Sequence, residues 1–297
     1  MSTVRYTPRM LGELAVRLTE RDRNLIRLLR DFRVLTSPQV SEMFFDTDDA
    51  ARRRLLALTR MGILERFRPN LPPAMGTAPY HYVIGETAAA VLASEEGVDL
   101  SDFGYRRDRV LSIVYSQQLA HTVGTNGIAT SLYGFARRYP DTQLTTWWPE
   151  RRCATEWGSM ARPDAYGRWS EGEHSIEFFL EYDTGTEPLD RVVHKLDGYV
   201  KLTESSRIVT PLLFWVQGER REANLRKKLK HHPGNMFVPI ATGHADTVIG
   251  LANDGPAGAR WLPTDLEAPR CRLAELAKRW PGLGPQVAPE PAEEDAE

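Results

Sequence analysis

The stretch HSIEFFLEYD, residues 174–183, alternates polar and apolar side chains as a half-buried strand does. Glu177, Phe179, Glu181 and Asp183 then share one face, and Ile176, Phe178, Leu180 and Tyr182 the other. Carboxylates two residues apart near a strand end repel each other unless solvent, a base or a metal compensates. Hard divalent ions such as Mg²⁺ prefer oxygen ligands of this kind. Upstream, Arg162, Pro163 and Asp164 bring a third carboxylate onto the preceding strand. Downstream, Lys195 falls on the next helix, one turn beyond Arg191 and one turn before Tyr199. The candidate chemistry is a divalent-cation site, and the plain structural alternative is a pair of surface acids matched by Arg191 or Lys195.

A second set is basic. Residues 1–84 carry fourteen Arg, no Lys and nine acids. An Arg-only basic segment suits phosphate and guanine edges, because the guanidinium is a planar fork rather than a point charge. Six of these arginines, Arg52, Arg53, Arg54, Arg60, Arg66 and Arg68, lie close together in the chain.

The elements that hold the two sets can be read from periodicity. A helix over 19–32 opens on Thr19 as N-cap, with Leu25, Ile26, Leu28 and Leu29 at helical spacing. A short helix over 39–45 follows, capped by Thr36 or Ser37 with Pro38 in its first turn. Asp46 and Thr47 start a third helix ending at Arg60, and strands over 63–67 and 80–84 flank a Pro- and Gly-rich loop. Three helices and a hairpin make a winged helix-turn-helix over residues 18–86. At about 100° per residue, Ala51, Leu55 and Leu58 fall on one side of the third helix. Arg53 and Arg60 fall opposite, with Arg52 and Arg54 on the flanks. That face fits the major groove of double-stranded DNA, with Arg66 and Arg68 on the wing. A solvated helix face is the plain alternative.

An Ala-rich linker helix occupies residues 87–105 and offers a surface for a homodimer, although nothing in the sequence fixes a symmetry. The second domain, residues 106–263, reads as a long helix over 111–139 and strands over 143–148, 164–169 and 175–183. A helix over 189–202, a strand over 211–217, a basic helix over 220–231 and a strand over 236–241 follow. Three consecutive strands predict an antiparallel meander, and the later strand, helix, strand order predicts a right-handed crossover into a mixed sheet. Residues 264–286 read as a C-terminal helical extension. The final VAPEPAEEDAE, residues 287–297, reads as a disordered acidic tail.

Pro163-Asp164 on one strand and Glu181 on the next resemble the PD-(D/E)xK nuclease fold, in which such acids hold a divalent metal against the scissile phosphate. The fold class expected is therefore α/β (α+β), an N-terminal winged helix-turn-helix followed by a mixed-sheet domain like a restriction endonuclease. Here Asp183 stands where the family has its lysine. Members of that superfamily also carry the lysine on the helix after this strand, which makes Lys195 the candidate. The resemblance implies that Asp164, Glu181 and Asp183 are the metal ligands for Mg²⁺ or Mn²⁺, and that Lys195 stabilises the attacking water or the charge developing on the phosphate.

A wider resemblance spans residue 18 to roughly 263. LTERDRNLIRLLRDFRVLTSPQVSEMFF, RRRLLALTRMGILERF, YHYVIGETAAAVLA, the helix with His121 and Asn126, and LEYDTGTEPLDRVVHKLDGY are similar to the bacterial replication-relaxation family of plasmids and integrative elements. It implies a DNA-handling protein of a mobile element, working with other replication or transfer proteins. The two readings of its action are metal-dependent nicking and non-catalytic DNA binding with a degenerate nuclease-like assembly domain.

Several classes are excluded or disfavoured. There is no apolar run near the ~20 residues of a membrane span, and the charged start lacks the apolar centre of a signal peptide, so a cytoplasmic protein without membrane attachment is expected. Cys153 and Cys271 belong to no CxxC or Cys/His cluster, which argues against zinc and for inert thiols. No GxxxxGK[ST] loop binds a nucleotide, no GxSxG elbow supports a covalent triad, and His231-His232 lack the spacing of a tyrosine relaxase's metal motif. His121 and Asn126 could position DNA or Glu150, or form a satisfied, partly buried pair. The basic segment Arg220, Arg221, Arg226, Lys227, Lys228, Lys230, His231 and His232 could track phosphates or lie solvated. Trp147, Trp148, Trp157 and Trp169 read as core or rim aromatics.

Overall fold

Threonines cap the three helices on which the N-terminal unit is built. Thr19 precedes α2 (Glu20–Phe32) and Thr36 precedes α3 (Ser37–Phe44), each closing a reciprocal capping box, with Asp22 and with Gln39. Thr47 accepts from the Ala50 amide at the start of α4 (Asp48–Arg60). Each such cap contributes about 1 kcal/mol by satisfying an orphan amide. The computed structural model describes residues 7–70, 74, 76–245, 254–264, 269–280 and 283. The chain divides into two units, Met1–Thr130 and Ser131–Glu297.

In the first unit a helix that periodicity did not suggest, α1 (Pro8–Arg17), precedes α2. A two-residue strand, β1 (Leu35–Thr36), lies between α2 and α3. The hairpin is β2 (Leu64–Phe67) and β3 (His81–Ile84), and β1 pairs antiparallel with the free edge of β3 to give the order β1-β3-β2. Leu25, Ile26 and Leu29 of α2, Leu55 and Leu58 of α4, and Ile63 and Val83 are fully buried and form the core. The Ala-rich helix α5 (Glu86–Glu95) is buried along Thr87–Ala93, because small residues let it lie close to its neighbours. Glu95 and Glu96 at its end pair with Arg23, Arg27 and Arg30 of α2.

The long helix expected over 111–139 is interrupted. A short α6 (Arg107–Leu111) runs into a 3-10 turn, Ser112–Tyr115, and α7 starts afresh as Leu119–Arg138. Ile113 of that turn packs on Val34 and Val83.

The second unit is a six-stranded sheet in the order β4-β5-β6-β7-β8-β9. It comprises β4 (Thr142–Pro149), β5 (Ala165–Glu171), β6 (His174–Tyr182), β7 (Leu212–Val216), β8 (Ile240–His244) and β9 (Leu262–Pro263). The first three form the expected antiparallel meander, β6, β7 and β8 run parallel, and β9 returns antiparallel. The class is thus mixed α/β with a mixed sheet. A helix not anticipated, α8 (Glu150–Trp157), follows β4 and buries Cys153. The helix expected over 189–202 is broken at Lys195 into α9 (Leu189–His194) and α10 (Leu196–Ser206). The basic helix is α11 (Glu219–Lys230).

The strand expected over 236–241 begins only at Ile240, because Pro233–Met236 coils into a 3-10 turn. Phe179, Leu212, Phe214 and Ile240 pack with Leu196, Tyr199, Leu225 and Leu229 into one apolar cluster on this face. Of the residues read as a C-terminal extension, one helical turn, α12 (Leu276–Arg279), is described. The tail over 287–297 lies outside the described residues.

Candidate functional site

β6 carries Glu181 one residue from its end, with Ala165 of β5 opposite Leu180. The residue before Ala165 is Asp164, whose amide donates to the Leu180 carbonyl at 3.0 Å and whose Oδ2 accepts from the Tyr182 amide at 2.7 Å. Two strands thereby fix Asp164 beside the end of β6. Lys195, at the break between α9 and α10, donates to Glu181 Oε2 at 2.7 Å, and its Nζ lies 3.9 Å from Glu187. Tyr199, one turn further on, donates its hydroxyl to Glu181 Oε1. Three of the four expected residues, Asp164, Glu181 and Lys195, therefore converge.

Asp183 does not join them. Its carboxylate accepts from the Gly185 amide at 2.9 Å and from both Nε and Nη2 of Arg221 on α11. Arg221 also donates to the Glu187 carbonyl at 2.6 Å, so this pair closes the loop after β6. Among the described residues no three His, Cys, Asp or Glu side chains gather as a metal-ligand group.

The electrostatics follow from burial. Asp164 and Glu181 are 7% and 2% exposed. Burial, then the charge of Asp164, pushes the Glu181 carboxyl up to about 7, against the pull of Lys195 and Tyr199. Burial alone would lower the Lys195 pKa, but Glu181 and Asp164 outweigh it and raise it, so the lysine is a firm cation. The Tyr199 phenol is pushed well up by burial and by Glu181, which keeps it a donor.

Tyr199 and Arg221 were not expected at the site. The spacing of Lys195 and Tyr199 was the available signal for the first. Gly198 is a further positioning feature, since a Cβ there would lie 2.4 Å from the Met160 carbonyl oxygen. The missing side chain lets α10 seat against the segment leading to Asp164.

In the first unit the six arginines separate into different roles. Arg53 and Arg60 are exposed on α4. Arg52 is exposed beside Asp49 at 3.2 Å. Arg54 turns inward, with Nε donating to Asp22 at 2.9 Å, Nη2 donating to the same carboxylate, and Nη2 also donating to the Arg17 carbonyl at 3.0 Å. Arg66 and Arg68 stack on Tyr80 at 4.2 and 3.9 Å from the ring centre.

Asn126 is committed inside the fold, because its amide donates to the Phe32 and Val34 carbonyls at 2.9 and 2.8 Å and closes the end of α2. On α11, Arg226 donates to the carbonyls of Leu262 and Pro263, and Lys228 pairs with Asp190. Arg220, Lys227 and Lys230 stay exposed. Trp148 and Trp169 are buried, and Trp157 stacks on Trp148. Burial raises the thiol pKa of both Cys153 and Cys271.

Residues 26–212 match the family described as replication-relaxation, more than half of the chain. The chain belongs to the replication-relaxation family. The replication-relaxation match begins within α2 and ends in β7, so it takes in α4 with its arginines, the hairpin, and Asp164, Glu181, Asp183 and Lys195. No curated protein and no solved structure matches the chain. Among the described residues no helix is long and apolar enough to cross a membrane.

Proposed function

We propose that the protein acts in the replication or relaxation of a plasmid or other mobile element by gripping double-stranded DNA and nicking a phosphodiester. Family membership supports the process, and the geometry supports the chemistry. In this reading α2 to β3 is a winged helix-turn-helix, with α4 entering the major groove and the hairpin lying on the backbone. The second unit is a nuclease-like domain. The protein works in the cytoplasm with other replication or transfer proteins.

The observation that carries the nicking proposal is the convergence of Asp164, Glu181 and Lys195 from two strands and a helix junction. The donor set fits Mg²⁺ or Mn²⁺, since both acids supply hard oxygens and Mg²⁺ characteristically uses one or two carboxylates together with substrate phosphate and water. Burial first, and then the charge of Asp164, hold the Glu181 carboxyl above its ordinary range, although Lys195 and Tyr199 pull it down.

Asp164 and Glu181 would hold the metal, which when bound would supply Lewis-acid polarisation of the phosphate and a more acidic water. Lys195, fixed by Glu181, presents an ammonium where negative charge builds on the phosphate oxygens. Tyr199 keeps Glu181 oriented, and the Asp183–Arg221 pair holds the loop at the rim. Asp183 serves as a structural acid in this scheme rather than as a ligand.

A second reading has its own observation. Lys195 and Tyr199 already occupy both oxygens of Glu181, as expected of a degenerate site in a non-catalytic replication or transcription factor. One experiment separates the two. Supercoiled plasmid carrying the element is incubated with the purified protein in Mg²⁺, in Mn²⁺ and in chelator, alongside Asp164→Asn and Glu181→Gln. The nicking proposal expects relaxed circles that require metal and both carboxylates, with DNA binding retained in the variants. Binding without cutting in either metal would establish the non-catalytic reading.

A further inference from the structure

Between the start of α3, the face of α4 and the hairpin lies a cleft of about 410 Å³. Such a volume lies within the range of small-molecule and cofactor sites. Its walls combine two chemistries. Pro38, Ala51 and Leu56 supply apolar surface, while Arg52, Arg66 and Arg68 against the one acid Asp48 make its charged lining basic. Tyr80 lines the same space, half-buried, and both hairpin arginines rest on its ring. Ser41, inside the cleft, donates to Asp48 at 2.6 Å, which ties α3 to α4 across the floor.

The convex surface of an intact duplex meets exposed side chains such as Arg53 and Arg60 but does not fill a concavity. What fills it must be small, partly apolar and anionic. A nucleotide has that composition, a flat base joined to phosphates. Tyr80 holds both guanidinium groups beside the cleft, and their planar forks suit a phosphate. Moving from Tyr80 to phosphate exchanges a cation–π contact for a charge-assisted hydrogen bond and uncovers the ring for stacking.

We propose that the cleft bounded by Arg52, Arg66, Arg68 and Tyr80 receives a single unpaired nucleotide, its base against Tyr80 and its phosphates on the arginines. The inference rests on the DNA-binding reading and makes it specific, since the first unit then grips duplex through α4 and at the same time reads a locally opened strand. A protein that acts where strands are parted gains selectivity for that state without base-edge readout. The cost of unpairing is lowest where the duplex is already melted.

The test compares a labelled duplex with one extrahelical adenine, the same duplex fully paired, and wild type against Tyr80→Ala and Leu56→Trp. Leu56→Trp fills the cleft. The expected result is binding about tenfold or more tighter to the bulged duplex, a margin typical of one base stack. Both variants should erase that margin, read as the ratio of bulged to paired affinity within each protein. With 2-aminopurine as the extrahelical base, fluorescence should be quenched by wild type and not by Tyr80→Ala. Equal affinity for bulged and paired duplex, without quenching, would overturn the cleft proposal and leave the duplex-binding reading standing. Absence of binding to both DNAs would overturn the DNA-binding reading and the cleft with it.

Discussion

Replacing Arg54 with Ala should destabilise the protein, whereas replacing its neighbour Arg53 should weaken DNA binding and leave stability unchanged. Arg54 makes two hydrogen bonds to Asp22 and one to the Arg17 carbonyl, and the Asp22 side chain is only 1% exposed while that of Arg54 is 25% exposed. Removing one partner of a buried ion pair costs about 3–5 kcal/mol. Water reaching the quarter-exposed position recovers part of this, so a loss of about 2–3 kcal/mol is expected. That corresponds to a fall in Tm of about 10 °C.

The pH dependence has a definite sign. Burial alone would raise the Asp22 carboxyl, but the hydrogen bonds from Arg54 and Thr19 outweigh it and hold the pKa below its ordinary 3.8. The pair's contribution is therefore fully present above pH 3.8 and is lost as pH falls through the lowered folded value. The gap in stability between wild type and Arg54→Ala should narrow on that descent. Asp22→Asn, which retains an oxygen for the Thr19 cap, should recover part of the loss when combined with Arg54→Ala. Denaturant melts at several pH values read stability, and anisotropy titrations across a salt series read binding, where each lost phosphate contact lowers the slope by about 0.9. An Arg54→Ala protein with the wild-type Tm but a flattened salt slope would refute the reasoning and return Arg54 to the DNA surface.

Three further outcomes are expected. Gly198→Ala forces a Cβ to within 2.4 Å of the Met160 carbonyl oxygen, so it should cost about 1–3 kcal/mol in denaturant melts and slow nicking by displacing the segment that leads to Asp164. Asn126→Ala should lower stability by about 1–3 kcal/mol without altering DNA affinity, because the Phe32 and Val34 carbonyls lose a shared donor. Tyr199→Phe removes a hydrogen bond that favours ionised Glu181, so the Glu181 pKa should rise above about 7 and the acidic limb of a nicking profile should move to higher pH; an unmoved limb would disconnect Tyr199 from the titrating group.

Local signals carried much of the architecture. Threonine caps fixed α2, α3 and α4 to within a residue or two, because a cap is a property of four consecutive residues. The alternation along β6 located a strand whose two ends decide where Glu181 sits. Features that depend on distant partners were not legible. The strand β1 exists because Leu35 and Thr36 find the edge of β3, and a two-residue strand has no period of its own. The breaks in the expected long helices fall at Ser116 and at Lys195, neither a proline nor a glycine, so no helix-breaking residue marked them.

The site divides along the same line. Strand periodicity put Glu181 and Asp183 on one face, yet it could not say that the strand ends between them, at Tyr182. One carboxylate stays inside the sheet's layer under α10, and the other enters a loop where an Asx-type bond to Gly185 and the fork of Arg221 take it. Face-sharing holds only while the strand continues. The same distinction separates Arg53 from Arg54, adjacent on one helix, where a rotation of about 100° sends one side chain to solvent and the other to Asp22. Lys195 lies outside β6, at the junction of α9 and α10, and its long side chain still reaches Glu181 at 2.7 Å. The chemistry of this chain is therefore set where regular elements stop.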